Sequence, residues 1–323
     1  MNFGLFGKNK RIANLVITDT AIRYADLKMD SPLILHNYGE KLLPQGVITD
    51  GKIIEYDTLV MILEECISEW GITKRPVRFI VPSTSIIVKR VLVPTDIKED
   101  ELKGYIFMEI GTSIHLPFED PLFDVVLLGE KGDKQEILVV ASPEEVIHSY
   151  RDILEEVKLK PMVADISPLA LYRYFYHNDM VRSTDHEMLL QFDEKLLTIS
   201  IFHNNQPIFL RPISLQGDLE LAEPLENQSG GLLFYLEDTF KEIEKVFSFY
   251  KYSLNKGEVN VNKVILTGDH PYLNEIYQTL SDRLDRLDVP VQRSPKDTVM
   301  DTTGQTVPRQ FDLAIGLALK EVL

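Results

Sequence analysis

Cysteine occurs once in the 323 residues, as Cys66, and tryptophan once, as Trp70. A single thiol cannot close an intramolecular disulfide or build a cysteine metal cage, and such usage suits a reducing cytoplasm. No apolar run reaches the roughly 18 residues that a membrane-spanning helix requires. Positive charge is also scarce: 34 lysines and arginines stand against 50 aspartates and glutamates, a formal charge of −16. That balance repels phosphate backbones and anionic bilayers, so no nucleic acid is expected as a partner. Met1–Arg11 (MNFGLFGKNKR) carries its basic residues after a short apolar patch, the reverse of a secretory signal. It reads as a tail that docks on its own domain or stays loose, with contact of Phe3, Leu5 and Phe6 with a membrane as the alternative.

The signatures of common chemistries are missing as well. The sequence has no P-loop, no G-x-G-x-x-G, no H-E-x-x-H, no C-x-x-C and no G-x-S-x-G. Its seven histidines show no metal-ligand spacing, and His186-Glu187 runs on into Met188-Leu189 without completing a zinc helix. No catalytic residue and no metal ligand is assigned.

What is present is an apolar content of 44%, enough to fill sizeable cores in two or three domains. Asn14–Leu27 and Met188–Arg211 each read as an extended apolar run, a tight polar turn and a second run, the same strand-turn-strand device twice. Leu42–Gly51 punctuates a crossover. A helix follows, with Leu59, Ile62, Leu63, Cys66, Ile67 and Trp70 on one face and Gly71 at its stop; Cys66 within that stripe reads as an inert core thiol. Val77–Val81 and Ile86–Val93, separated by Pro82–Ser85, read as a pair of strands. Glu99–Ile110 reads as a helix, and Phe123–Leu128 with Glu136–Val140 as a second strand pair. Ser142 and Pro143 read as the cap and first residue of a helix whose buried face runs from Val146 to Val157. Val163–Ile166 is a short strand and Pro168–Tyr176 a helix. Glu220–Gly231 is a polar connection. Leu232–Leu254 follows as a long amphipathic helix, Lys263–Thr267 as a buried strand, Pro290–Pro308 as a polar segment and Phe311–Leu323 as a closing helix.

An ordered set of segments then carries a resemblance. Leu42-Leu43-Pro44-Gln45-Gly46 leading to Asp50-Gly51, Val81-Pro82, Val93-Pro94, Glu109 with His115–Phe118, Val139–Ser142 and Asp165-Ile166 resemble, in this order, the type IV pilus assembly protein PilM family. Glu242–Glu244 with Phe247–Tyr250, Thr267-Gly268-Asp269 and Ala314–Leu319 look like that family's long helix, adenosine-side turn and terminal helix. The cell-division protein FtsA is similar in architecture and a weaker match.

The resemblance implies a two-lobed α/β actin-like (ribonuclease H-like) fold with a small α+β subdomain inserted in the first lobe. Residues 1–45 and 160–184 form the first lobe, with the helix at 310–323 packing back on it. Residues 46–159 form the insert and 185–309 the second lobe. It also implies a cytoplasmic adaptor at the inner face of the cell membrane, in assembly of type IV pili or a related competence or secretion filament. Its partners are the cytoplasmic N-terminal peptide of a PilN-like inner-membrane protein and other components of the pilus machine. For the peptide groove, Pro44, Gln45, Gly46, Val47, Ile48, Arg90, Asp165, Leu169 and Arg173 flank the junction of lobe and insert.

Relatives of this kind hold a nucleotide's phosphates between two hairpin turns, which need glycine for close approach and a carboxylate for the metal. Here the alignment puts Val16 and Gln191 at the metal-side carboxylates, Thr18 and Asp193 at the glycines, and Asp269 at the second glycine of the adenosine turn. The expectation is a degenerate cleft with no cofactor. The alternative is a nucleotide-binding actin-like ATPase of the same machine, in which a slipped register lets Asp19 hold magnesium and Asp193 serve the second turn. Its ATP contacts would be Asp19, Thr20, Arg23, Asp193, Gly268 and Gly316. A membrane-tethered filament protein would need a basic amphipathic last helix, and Phe311–Leu323 has Lys320 as its sole basic residue.

Overall fold

The computed structural model describes residues 12–28, 33–215, 231–295 and 298–320, and the side chains of all these except 231–235. The Met1–Arg11 tail and most of the Glu220–Gly231 connection lie outside the described residues.

The first hairpin is β1 (Ala13–Ile17) and β2 (Ala21–Lys28), extended by β3 (Ile34–Leu42). A two-residue hairpin, β4 (Ile48–Thr49) and β5 (Lys52–Ile53), leads into α1 (Tyr56–Glu69), which stops at Trp70 with Gly71 in a left-handed conformation. Then come β6 (Pro76–Val81), β7 (Ile87–Pro94), α2 (Leu102–Glu109), β8 (Pro121–Lys131), β9 (Lys134–Pro143), α3 (Glu144–Glu156), β10 (Lys160–Ile166) and α4 (Ser167–His177). The second half repeats the plan with β11 (Glu187–Phe192), β12 (Leu196–His203), β13 (Gln206–Ser214), α5 (Gly231–Ser248), β14 (Lys263–Thr267), α6 (Leu273–Asp285), β15 (Val291–Arg293), β16 (Met300–Asp301) and α7 (Asp312–Ala318).

The duplication is visible in the sheets. One runs β10-β6-β1-β2-β3-β16 and the other β15-β14-β11-β12-β13, with an antiparallel hairpin beside parallel strands in both. Central strands β1 and β11 are buried at every position, as strands covered by helices on both faces must be. One core lies between the six-stranded sheet and α1 and α3; another packs β11–β14 against α5 and α6. A third joins the halves, since α4 and α7 pack there with Leu35 and Ile80 of one sheet and Leu189, Phe202 and Ile265 of the other. Tyr172 on α4 stacks on Phe202 of β12 at a 4.2 Å centroid distance, a contact worth about 0.5–1.5 kcal/mol beyond its buried area.

A separate three-stranded sheet, β7-β9-β8, with its own small core under α2, leaves the first half after β6 and returns through α3. The expected pairing of Val77–Val81 with Ile86–Val93 is therefore not what forms: β6 pairs in parallel with β1 and β10, and β7 pairs with β9. Val77–Val81 is buried throughout, the mark of an interior parallel strand and not of a hairpin arm with one wet face. The Ser142 cap is corrected too. Strand β9 runs through Pro143, which is the residue before the helix, and the Ser142 hydroxyl donates to Ser85 Oγ. The helix expected over Leu232–Leu254 changes at Phe249 into a π-helical turn, and α7 is shorter than Phe311–Leu323, with a 3₁₀ turn at Arg309–Phe311 before it.

Candidate functional site

The two hairpin turns face each other across a cleft, and their registers match. Ile17 pairs with Ile22 and Phe192 with Leu197, so Val16–Arg23 and Gln191–Thr198 are corresponding pairs. In each turn the first N–H closes the loop: Thr18 donates to Ala21 O and Asp193 to Leu196 O, both at 2.9 Å. Thr18 thus corresponds to Asp193, and Asp19 to Glu194.

The side chains divide the labour differently. Thr18 Oγ1 accepts from the backbone N–H of Ala21 (3.1 Å) and Thr20 (3.4 Å), so donors that would otherwise point at a ligand are engaged within the turn. Asp19 takes the N–H of Asp50 on Oδ2 (2.7 Å) and of Gly51 on Oδ1 (3.0 Å). Both oxygens of the residue that only the alternative reading gave to magnesium are thereby committed to backbone donors. Thr20 lines the same cavity.

On the far wall Gln191 Nε2 donates to Asp193 Oδ2 (2.7 Å). Burial holds the enclosed Asp193 carboxyl well above the usual carboxylate range, the Asp269 charge adds to this, and Arg23 opposes it. Arg23 on β2 crosses the cleft, bonding Glu40 (2.7 Å) on its own sheet and Asp269 (2.5 Å) on the other. Gln310 Nε2 donates to the second oxygen of Glu40 at 2.9 Å. Of these groups, Asp269 belongs to the Thr267-Gly268-Asp269 turn that resembles the family's adenosine-side turn. The space left between the turns is about 70 Å³, with a further 20 Å³ beside Asp269 and Gln310, against the roughly 300–1,000 Å³ of small-molecule sites.

Gly268 has φ +119°, and a Cβ there would lie 1.9 Å from the Phe192 carbonyl oxygen, so packing of β14 on β11 demands glycine. Gly316 is not at the turns. It sits in α7 against the Ala170 carbonyl of α4, where a Cβ would come to 2.1 Å. Its carbonyl accepts from Arg173 Nε (3.3 Å), which joins it to the groove candidates. No group of three or more His, Cys, Asp and Glu side chains among the described residues is arranged to hold a metal ion.

Of those groove candidates, Asp165 at the end of β10 is buried and paired with Arg173 of α4 and with Lys320. Leu169 is half-buried between the first and third cores. Val47 and Ile48 are interior members of the first core, while Pro44 and Gln45 are exposed before them and Gly46 is half-buried. Arg90 stands apart on β7, paired with Glu136 of β9 at 2.6 Å. The structure thus gathers Asp165, Leu169 and Arg173 and leaves Arg90 on another sheet. Asp50-Gly51, Thr84 and Tyr150 cluster behind Asp19, a grouping not expected from the sequence. The signal was available, since Asp-Gly between short apolar runs is a strong hairpin-turn pair.

A family model for type IV pilus assembly protein PilM matches residues 15–228. No curated protein matches the sequence. Among solved structures, a PilM-PilN type IV pilus biogenesis complex aligns with a TM-score of 0.77 and 18% identity, over 96% of this chain and 98% of that one. Ethanolamine utilization protein EutJ from Carboxydothermus hydrogenoformans aligns at 0.52 and 11%, over 95% and 89%. MreB5 of Spiroplasma citri bound to ADP aligns at 0.50 and 7%, over 95% of both chains. The chain has the two-lobed actin-like fold expected from its sequence.

Proposed function

Because the chain belongs to the type IV pilus assembly protein PilM family, we propose that it is a scaffold of pilus assembly whose work is binding. The partner is an inner-membrane protein of PilN type, and its cytoplasmic N-terminal peptide lies in a groove between the three-stranded sheet and the lobe that carries it. A solved PilM-PilN complex with the same fold supports this partner. No described helix is long and apolar enough to cross a membrane; in this reading the partner holds the protein at the cytoplasmic face of the inner membrane. In this reading the insert is residues 82–143, because β6 belongs to the sheet of the first lobe. The first lobe takes in β1 to β6 and α3 to α4, and the second begins near Asp185. The extended peptide places apolar side chains beside Leu169, with Pro44 and Gln45 at the rim.

The observation behind a binding role without hydrolysis is the committed cleft. Val16 offers no metal ligand, Asp19 is bonded to two backbone N–H groups, the Asp193 side chain fills its turn, Asp269 is closed onto Arg23 across the cleft, and the free volume is about 70 Å³. A magnesium triphosphate does not fit that set of groups.

Two measurements test the proposal. The full chain is expected to capture the immobilised cytoplasmic N-terminal peptide of a PilN-like protein encoded beside it, and capture of none of the neighbouring inner-membrane peptides would remove the scaffold reading. Calorimetric titration with magnesium-ATP is expected to give no heat of binding. Micromolar binding with turnover abolished by Asp19→Ala would establish the ATPase alternative instead.

A further inference from the structure

The Asp50–Gly51 turn touches more of the molecule than a two-residue hairpin needs to. Asp19, from the tip of the first cleft turn, holds both of its N–H groups at 2.7 and 3.0 Å. On its other side Thr84 Oγ1 donates to Asp50 O (2.8 Å) and the buried Tyr150 hydroxyl donates to Gly51 O (3.0 Å). Thr84 lies on the connection by which the chain leaves for the three-stranded sheet, and Tyr150 on the helix by which it returns. The two connections are tied to each other by Ser142 and Ser85 (3.3 Å). The turn is also seated tightly: Gly51 has φ +75°, and a Cβ would lie 2.4 Å from Pro82 Cβ. Asp50 itself has φ +51°.

A loop can be pinned by one bond. Here a charged acceptor from the cleft grips one side of a turn, and both roots of the inserted sheet grip the other, so cleft and insert meet at a single rigid piece. From this arrangement we propose that Asp19 and the Asp50–Gly51 turn form a relay: the engagement of Asp19 in the cleft sets the seating of the three-stranded sheet on its lobe. Anything that draws the Asp19 carboxylate away from the turn frees the two N–H groups and lets both roots of the sheet shift together. The inference rests on the reading above in that the same sheet borders the peptide groove, so the relay is a route by which cleft chemistry alters partner binding.

The test uses the full chain with cysteines at Asp133→Cys, in the exposed turn of the insert, and Glu69→Cys, at the exposed end of α1. Cys66 is buried and stays unlabelled. Spin-label distances are measured with and without Asp19→Ala, alongside amide exchange at Asp50 and Gly51. Loss of a charged acceptor should speed exchange at those two amides about tenfold or more. The label distance distribution should shift or broaden in the same variant, and Asp269→Asn, which breaks the pair across the cleft without touching the turn, should leave it unchanged. Faster exchange with an unchanged distribution, or an equal change in Asp269→Asn, overturns the relay. If Asp19→Ala fails to fold, Thr84→Val with Tyr150→Phe releases the far side of the turn and must move the same distance; no movement there also overturns it. The distances need no partner, so failure of peptide capture would remove the groove reading while the labels still judged the relay.

Discussion

Arg23 on β2 and Thr198 on β12 hold the same place in the two halves, each opposite the residue two before its turn. Arg23 reaches across the cleft to Asp269, whereas the Thr198 hydroxyl is buried with no hydrogen-bond partner. The position corresponding to Asp269 in the first half is Pro82, which offers no charge. A duplicated backbone has been closed from one side only. The helix starts differ in the same way: Ser167 of α4 meets the Ser83 hydroxyl at 2.9 Å, while Asp312 of α7 meets the Ser294 hydroxyl and carries a proton-dependent charge. Identical scaffolds thus tolerate opposite chemistry, because strand pairing is set by backbone and apolar side chains and leaves the cleft-facing positions free to diverge.

The comparison is broken most strongly at Arg23. Arg23→Ala leaves Asp269 and Glu40 half-buried without their cation and is expected to cost about 3–5 kcal/mol in urea unfolding. Thr198→Val, its counterpart, removes an unpartnered hydroxyl and should be neutral or stabilising by about 1 kcal/mol. A loss at Thr198 as large as that at Arg23 would mean the halves are equally bridged.

Next comes Gly268, whose counterpart in the first half, Val81, carries a side chain without strain. Gly268→Ala, with φ +119° and a contact of 1.9 Å to backbone, should destabilise by about 2–4 kcal/mol, read from the same midpoints. An effect within about 0.5 kcal/mol would show that β14 can slide on β11.

A third difference is one of pH. Burial pushes the Asp312 carboxyl up to about 7. The folded state therefore keeps a proton that the unfolded chain releases above about pH 4, and this group's contribution to stability falls as pH rises from about 4 to about 7. Asp312→Asn should gain on the native chain progressively across that window and hold the gain above it, whereas Ser167→Ala should lose a similar amount at every pH. Paired urea midpoints at pH 4.5 and 8 decide it, and a constant Asp312→Asn difference would sink the assignment. The smallest change is expected at Arg211→Ala, an exposed partner of Glu242, which should stay within about 0.5 kcal/mol.

Much of the architecture was legible beforehand because apolar periodicity reports burial. The two hairpins, the α1 stripe ending at Gly71, and the long helix from Leu232 could be read from spacing alone. The misread pair, β6 with β7, had its clue in Phe79–Val81, apolar at successive positions where a hairpin arm with one wet face would alternate. The cleft was less legible. Which residues of the two turns correspond was not legible, because it depended on a hairpin register that one sequence leaves open. Gly316 looked like a ligand glycine and is a helix-packing glycine, since a glycine's reason lies in whatever comes close to it and that neighbour, Ala170, is remote in sequence.

Composition and pattern determined by themselves that this chain is a folded, acidic α/β protein with a duplicated hairpin and no disulfide, because these follow from counts and from the periods of strand and helix. Only the tertiary structure decided that Arg23 closes the cleft onto Asp269 and that Asp19 grips the Asp50–Gly51 turn. Hydrogen bonds and ion pairs join residues by a few ångströms in space, and nothing in the order of residues along the chain records which pairs those will be.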